Sequence, residues 1–144
     1  MREIKFRGKR VCNGEWAHGS LICYESGQTA ILDTPFSKYG HEATEIIRRT
    51  QVDPASVGQY TGLRSRNGKE IYEYDIMQMY HHSDDTNKHE KDYISAVHYH
   101  HGAFHVENPR YKIEQTFLHM ARPGQSFEVI GNIYDNPELL EVEQ

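Results

Sequence analysis

The sequence predicts a mainly β fold of the α+β class, a strongly bent antiparallel sheet or a small barrel with about one short helix. Three observations support this prediction. Apolar and polar residues alternate over short stretches, turn residues rich in glycine separate these stretches, and an apolar spacing typical of a helix occurs in one segment. Alternation with a period of two puts every second side chain on one face of a strand, so each stretch can bury one face.

The first third of the chain predicts a β-meander. Residues 2–11 alternate, with Ile4 and Phe6 on one side and mostly basic residues on the other, which is typical of a half-buried strand. Asn13 and Gly14 predict a hairpin turn, because both residues tolerate the positive φ of a type I′ turn. The next two strands are expected at 21–24 and 29–32, with a turn at 25–27 between them.

The middle of the chain predicts further strands joined by polar loops. Residues 33–45 have the composition of a surface loop, and 44–52 favour a strand weakly. Every residue between His81 and Asp92 is polar or charged, which predicts a solvated loop. The remaining strand and turn signals lie at 57–63, 67–68, 70–80, 93–100 and 103–106, the last two flanking a hairpin turn at His101-Gly102.

One helix is predicted near 109–121. Asn108 is a suitable N-cap, Pro109 suits the first helical position, and apolar residues recur from Ile113 at helical spacing. Pro123-Gly124 ends the segment. The chain then returns to an extended pattern over 127–134 and finishes in an acidic tail.

Size and charge restrict the class of protein. With 144 residues and 16.8 kDa, the chain suits a single domain over 1–144. No apolar run approaches a membrane span and the first residues lack the pattern of a signal peptide, so we expect a cytoplasmic protein without membrane association. The net charge of -5 and a pI near 6.0 disfavour general binding of nucleic acid. Cys12 and Cys23 are expected to be reduced, partly buried thiols.

Histidines form the pattern closest to a metal site. On a strand, His98 and His100 share a face, and the predicted hairpin could bring His105 beside them. The alternative is that strand histidines present amphipathic rings on a half-exposed sheet face. We note no helical His-Glu-x-x-His pattern and no Cys-x-x-Cys pair, so no cofactor is expected.

Two basic segments are candidates for binding an anion or a nucleic acid. The predicted N-terminal strand contributes one set of cations, and the glycine-containing turn at 64–69 contributes another. Tyr60 or Tyr72 could act as a stacking platform for bases. The alternatives are an edge strand protected by charged residues and an ordinary soluble turn. The candidate residues are Lys5, Arg7, Lys9, Arg64, Arg66 and Lys69.

Acid–base or nucleophilic catalysis receives no support from the sequence. Glu70, Glu73 and Asp75 lie close together, but a catalytic pair requires one carboxyl group to be buried, and solvated strand faces are the expected positions. No Gly-x-Ser-x-Gly motif is present. We therefore expect no enzymatic activity and no catalytic residues.

Five blocks in a fixed order cover nearly the whole chain. They read MREIKFRGK at 1–9, NGEW at 13–16, VGQYTGL at 57–63, NGKEIYE at 67–73 and VIGNIYDNPELL at 129–140. Together they resemble the YopX family of phage and prophage proteins. In that family the middle block usually continues as Glu-Gly-Asp-Ile, whereas Tyr74 here takes the place of the glycine. A kink at residue 74 that is shared with the family is therefore in doubt.

The resemblance implies an intracellular, phage-derived protein that self-associates as a homo-oligomer. It supplies no catalytic residues and no established activity. The function expected from it is an accessory role by protein binding and self-assembly, with a host or phage protein as partner. The alternative is a nucleic-acid-binding accessory protein that uses the two basic segments, which the net charge disfavours.

Overall fold

The chain divides into two compact units, Met1–Tyr60 and Thr61–Gln144. The computed structural model describes residues 2–33, 48–83, 88–108, 113–117 and 125–141. Most of the predicted loop at 33–45 and part of the helix predicted near 109–121 lie outside these residues. The expectation of one domain over 1–144 stays a prediction. Within the described ranges, no helix is both long enough and apolar enough to cross a bilayer.

The first unit is built on an antiparallel sheet in which β1 is an interior strand. The strand order is β4-β3-β2-β1-β5, and Phe6 of β1 lies opposite Gly19 on one side and Gln59 on the other. A 3-10 helix, Pro54–Ser56, precedes β5, which continues into the second unit. The strands are β1 (Phe6–Lys9), β2 (Trp16–Cys23), β3 (Thr29–Asp33), β4 (Arg48–Val52) and β5 (Gly58–Arg64).

The interior position of β1 excludes the edge-strand explanation of its basic residues. Arg7 is only 8% exposed, and Gly8 is also buried, so both faces of β1 are covered. The core of this unit consists of Ala17, Ile31 and Val52, with three partly buried apolar side chains packed against it. Ile4, which the alternation places on the buried face, is largely exposed.

The predicted turn at Asn13-Gly14 is wrong in its type, although the hairpin itself is present. The connection spans the residues between Lys9 and Trp16, with Arg10 N donating to Glu15 O at 2.8 Å. Gly14 has φ +72, and Asn13 is not among the residues with positive φ. A type I′ turn needs positive φ at both central positions, so this is a longer connection.

The barrel alternative is not the one adopted, because neither sheet closes on itself. Among the described residues of the first unit, one isolated bridge joins Arg10 and Val52, where Val11 N donates to Gln51 O at 3.1 Å and Asp53 N to Lys9 O at 2.8 Å. The chain is mainly β and antiparallel, as predicted, and its strands form two sheets.

The second unit contains the remainder of β5, with β6 next to it in the strand order, and a five-stranded antiparallel sheet with the order β10-β9-β8-β7-β11. Its core consists of Ile71, Met77, Met79, Val97 and Val106. The elements after β5 are β6 (Glu70–Tyr72), β7 (Asp75–Ser83), β8 (Lys88–His100), β9 (Ala103–Asn108), β10 (Ile113–Thr116), β11 (Gln125–Asn132) and the helix α1 (Glu138–Glu141).

The polar segment predicted as a loop at 81–92 is strand over most of its length. β7 reaches Ser83 and β8 begins at Lys88. His81 lies opposite Glu90, and its ring nitrogens are 3.8 Å from carboxylate oxygens of Glu90 and Asp92. Cross-strand pairs of complementary polar side chains can stabilise strand pairing without apolar residues. The alternation of apolar and polar residues therefore could not predict these parts of β7 and β8.

The helix predicted near 109–121 is wrong for residues 113–116, which form β10. Ile113 lies opposite Asn108 and Thr116 opposite His105, so pairing with β9 overrides the local helical pattern. Phe117, the next described residue, is helical. A further α-helix occupies Glu138–Glu141, where Pro137 precedes the first residue and Leu140 N donates to Pro137 O at 3.2 Å. Proline suits the start of a helix because its missing N–H would lack an intrahelical partner there.

The chain does turn sharply at Tyr74 although glycine is absent. Tyr74 has φ +70 and lies between β6 and β7, which belong to different sheets. Its N–H donates to Val97 O at 2.8 Å, and its carbonyl accepts from Ile133 N at 2.9 Å. These two bonds hold a non-glycine residue in the left-handed region, where it is disfavoured by about 1–2 kcal/mol.

Candidate functional site

The basic side chains of the first unit lie against aromatic rings. The guanidinium carbon of Arg7 is 4.6 Å from the ring centre of Trp16, and Nζ of Lys9 is 5.6 Å from it. Nζ of Lys5 is 5.4 Å from the ring centre of Tyr60. Register explains this arrangement, because Lys9 lies directly opposite Trp16 and every second residue of β1 shares that face. Cation–π attraction inside the unit thus involves all three cations.

The tyrosines proposed as stacking platforms are interior residues. Tyr60 is 6% exposed and Tyr72 is 3% exposed, so neither ring can receive a nucleic acid base. The Tyr72 hydroxyl donates to Oε2 of Glu70 at 2.8 Å. Lys5 also pairs with Glu3 at 3.0 Å. The first basic segment is therefore largely engaged within the protein.

The second basic segment, the turn at 64–69, belongs to the second unit. Hydrogen bonds to nearby residues of the same chain hold it in place. Arg64 donates to Oε1 of Glu70 at 3.1 Å and to the carbonyl of Gly68 at 3.1 Å. Arg66 N donates to Phe127 O at 3.0 Å, which attaches the turn to β11. The side chains of Arg64, Arg66 and Lys69 are exposed. This geometry favours the structural explanation of the turn.

A hydrogen-bonded group extends from this turn onto the five-stranded sheet. The guanidinium carbon of Arg66 is 5.0 Å from the Tyr80 ring centre, and the Tyr80 hydroxyl donates to Oε2 of Glu128 at 3.2 Å. Asn67 donates to the other oxygen of Glu128 at 3.4 Å. Burial raises the pKa of Tyr80, the bond to Glu128 and its charge raise it further, and Arg66 lowers it.

The three candidate histidine ligands do converge on one sheet face, around a carboxylate. His98 lies opposite His105, and the rings of His100 and His105 stack at 4.1 Å. Nε2 of His100 is 2.8 Å from Oε1 of Glu107, and Nε2 of His98 is 3.9 Å from Oε2. The hairpin at His101-Gly102 sets this register, and both residues have positive φ as predicted.

Two further side chains contact this histidine cluster: the neighbouring His101, which belongs to the same histidine-rich stretch of the sequence, and Tyr74. Nδ1 of His101 is 2.8 Å from Nδ1 of His100, so one ring donates the shared proton and the other accepts it. The Tyr74 ring meets His98 edge to face at 6.1 Å and Tyr134 at 5.5 Å, and burial followed by the charge of Glu73 raises the pKa of Tyr74. Glu107, the carboxylate that the sequence places near these histidines, lies two residues after His105, so alternation along β9 puts both side chains on one face.

The described geometry does not present a metal centre. In the part of the chain that the structure covers, no group of three or more His, Cys, Asp or Glu side chains is arranged to hold a metal ion. Nε2 of His98 and Nε2 of His100 each lie within 4 Å of an oxygen of the Glu107 carboxylate, so these rings are engaged with a partner inside the protein. Assignment of His98, His100 and His105 as ligands stays a prediction.

Two other sequence expectations are wrong. Asp75 was expected on a solvated face, but it is 1% exposed and its Oδ2 accepts from Tyr72 N at 2.8 Å. It thereby satisfies a backbone donor at the corner between β6 and β7. Cys12 and Cys23 are exposed thiols, because one lies in the connection after β1 and the other ends β2.

Comparison with known proteins agrees with this fold. None of the curated proteins matches the chain. A crystal structure of protein EF1440 from Enterococcus faecalis is similar with a TM-score of 0.58 and 27% identity, covering 97% of this chain and 99% of that one. A crystal structure of protein yopX from Bacillus subtilis is similar in fold, with a TM-score of 0.57, 20% identity, and 99% and 100% coverage. The family model described as YopX protein matches residues 5–141, and the chain therefore belongs to the YopX family.

Proposed function

We propose that this chain is a phage-derived accessory protein that acts in the cytoplasm by binding protein, without enzymatic activity. Its partners are a host or phage protein and further copies of itself in a homo-oligomer. Family membership supports the phage origin, because the resemblance of its five blocks is to phage and prophage proteins.

The observation that carries this proposal is the exposure of large apolar side chains while most candidate polar groups are engaged internally. In the part of the chain that the structure describes, six such side chains are 37–61% exposed, and contact with another protein would remove their apolar surface from water. In contrast, Arg7, Arg64 and His100 each have a partner within the chain. The six are Ile4, Val11, Tyr24, Leu63, Tyr99 and Ile130.

Ile130 is the clearest of these candidate contact residues. It lies on β11, at one end of the strand order of the five-stranded sheet, within a register shift: Val129 lies opposite Met77 and Gly131 opposite Ile76. Ile130 is thus the extra residue of a β-bulge. A bulge at a sheet edge redirects a side chain and interrupts simple edge pairing, so contact here would occur through the side chain.

Sedimentation velocity over concentrations from about 1 to 100 μM tests self-association. We expect one defined species whose mass is a multiple of 16.8 kDa, and dissociation toward monomer in Ile130→Lys. Ser20→Lys, which adds the same charge at an exposed polar position of β2 outside the six apolar side chains, is the matched control. A monomer at every concentration, together with no partner retained from an induced host lysate, would contradict the proposal.

Nucleic acid binding is the second candidate, supported by the exposure of Arg66 and Lys69 in the turn at 64–69. It ranks below protein binding because Glu70 and Glu128 contact this turn and reduce its net charge. Retention of labelled single- or double-stranded DNA that weakens with salt would support it. Absence of retention at low salt would remove it.

A further inference from the structure

The first unit contains a groove that the sequence did not indicate. Two adjoining clefts of about 660 and 300 Å³ share Gln28 and Gln51 among their lining residues. The larger one lies where the turns after β1 and β2 approach the end of β4, and the smaller one extends toward Tyr24 and Arg49. Both clefts are open to solvent, and their volumes lie within the range of small-molecule binding sites. We name the two together the Gln28–Gln51 groove.

The lining of the groove combines apolar and polar groups in separate places. Val11, Val52 and Pro54 line the larger cleft, and the Val11 side chain is 61% exposed. The two glutamines where the clefts meet carry amides that both donate and accept hydrogen bonds. This combination suits a peptide, which presents apolar side chains and backbone amides in alternation.

Arg49 gives the smaller cleft its charge. Its Nη1 donates to the Tyr24 hydroxyl at 2.7 Å, and its guanidinium carbon is 5.8 Å from the Tyr24 ring centre, so the tyrosine holds it in place. Among the described residues, no carboxylate pairs with Arg49, whereas Arg10 is close to both Glu15 and Asp33. A guanidinium with further N–H donors can bind a carboxylate through two parallel hydrogen bonds.

The backbone of β4 adds a further recognition element. The Gln51 carbonyl accepts from Val11 N at 3.1 Å, so it points away from β3. In an antiparallel ladder, residues two apart direct their N–H and C=O groups to the same side, which places those of Arg49 on this edge as well. An extended segment bound here would continue the pairing that the Arg10–Val52 bridge begins.

We propose that the Gln28–Gln51 groove binds an extended peptide segment of a protein partner, with an acidic side chain on Arg49 and an apolar side chain beside Val11. Charge complementarity selects this occupant. Asp53 is the acidic residue lining the groove, and its carboxylate accepts from Ala55 N at 3.0 Å to cap the 3-10 helix. The inference rests on the proposed protein-binding function and names the partner chemistry.

Fluorescence anisotropy with three labelled hexapeptides tests the groove on the full chain. The probes alternate valine with glutamate, glutamine or lysine. We expect saturable binding of the glutamate peptide only, weakened about tenfold or more in Arg49→Gln, since one charge-assisted contact is lost. Arg64→Gln, which removes an exposed arginine of the second unit, leaves binding unchanged. Val11→Asp weakens it by a different route, through repulsion and loss of apolar contact.

Three results would overturn the proposal. They are no saturable binding of the glutamate peptide below about 1 mM, equal binding of the lysine peptide, and equal affinity in Arg49→Gln. Circular dichroism confirms that each variant is folded, and all three substituted side chains are exposed, so folding is expected to be retained. If the chain self-associates but fails these tests, the groove is wrong and the proposed function stands.

Discussion

The two units differ in which residue occupies a sterically demanding backbone position: glycine at two close contacts in the first unit, and Tyr74 at a positive φ in the second. A Cβ atom on Gly19 would overlap the backbone carbonyl of Leu32, and one on Gly8 would lie 2.9 Å from Cβ and Cγ2 of Val52. Tyr74 in contrast adopts φ +70 while its ring contacts His98 and Tyr134. Where two strands approach this closely, glycine is the residue that fits. A turn with a left-handed backbone conformation, in contrast, accepts a larger residue when its side chain packs against neighbours.

The largest expected effect is that of Gly19→Ala. The new methyl group meets backbone rather than a flexible side chain, and Gly19 has φ +155, so β2 and β3 must separate. We expect a loss of about 3 kcal/mol or more in the free energy of unfolding, measured with urea.

Gly14→Ala is the matched control for this loss. Gly14 also has positive φ, at +72, but a Cβ atom there meets nothing within 4 Å. We expect a cost of about 1 kcal/mol, from backbone conformation alone. Similar losses in Gly14→Ala and Gly19→Ala would show that close approach in the first unit is not the cause.

Gly8→Ala is expected to cost about 1–3 kcal/mol, because it overfills the packed contact with Val52. Val52→Ala removes Cγ1 and Cγ2, two of the three Val52 atoms that the new Cβ would meet, and leaves Val52 Cβ in place. In the double variant the loss should therefore be smaller than the sum of the two single losses, and urea unfolding of all four proteins measures this coupling. Strict additivity would contradict the contact.

At position 74 we expect the glycine variant to be more stable than the alanine variant, the reverse of their usual order. Both Tyr74→Ala and Tyr74→Gly remove the ring contacts with His98 and Tyr134, so their difference reports the backbone. At a position with φ +70, glycine should be more stable than alanine by about 1 kcal/mol, measured by thermal and urea unfolding. Equal stability, or the ordinary preference for alanine, would show that the corner rearranges when the ring is absent.

Local signals made part of the histidine cluster predictable. A two-residue turn at His101-Gly102 fixes the register of β8 and β9, so the position of His98 opposite His105 follows from the sequence. The conformation of Tyr74 does not follow, because it depends on bonds to Val97 and Ile133, which are distant along the chain. The same holds for β10, whose helical spacing is overridden by pairing with β9.

The structure explains part of the last sequence block shared with the family, VIGNIYDNPELL at 129–140, which the residue types alone did not. Oδ1 of Asn132 accepts from Tyr134 N at 3.0 Å and from Asp135 N at 2.9 Å, while Oδ1 of Asn136 accepts from Asn132 N at 3.3 Å. A Cβ atom on Gly131 would meet the Asn136 side chain. The Gly131–Asn136 sequence thus forms a turn that its own side chains stabilise.

The two units also differ in charge: residues 61–144 hold fourteen Asp and Glu against eight Lys and Arg, and residues 1–60 hold seven against eight. The smallest expected effect concerns Tyr80, a titratable group of the acidic second unit. The pKa of Tyr80 is raised in the folded state, so its contribution to stability is complete below about pH 10 and is lost as pH rises through the folded pKa. Tyr80→Phe should lessen this alkaline loss. Tyrosine ring NMR titration should show a lower Tyr80 pKa in Glu128→Gln and a higher one in Arg66→Gln, and shifts of the same sign would contradict the contacts assigned here.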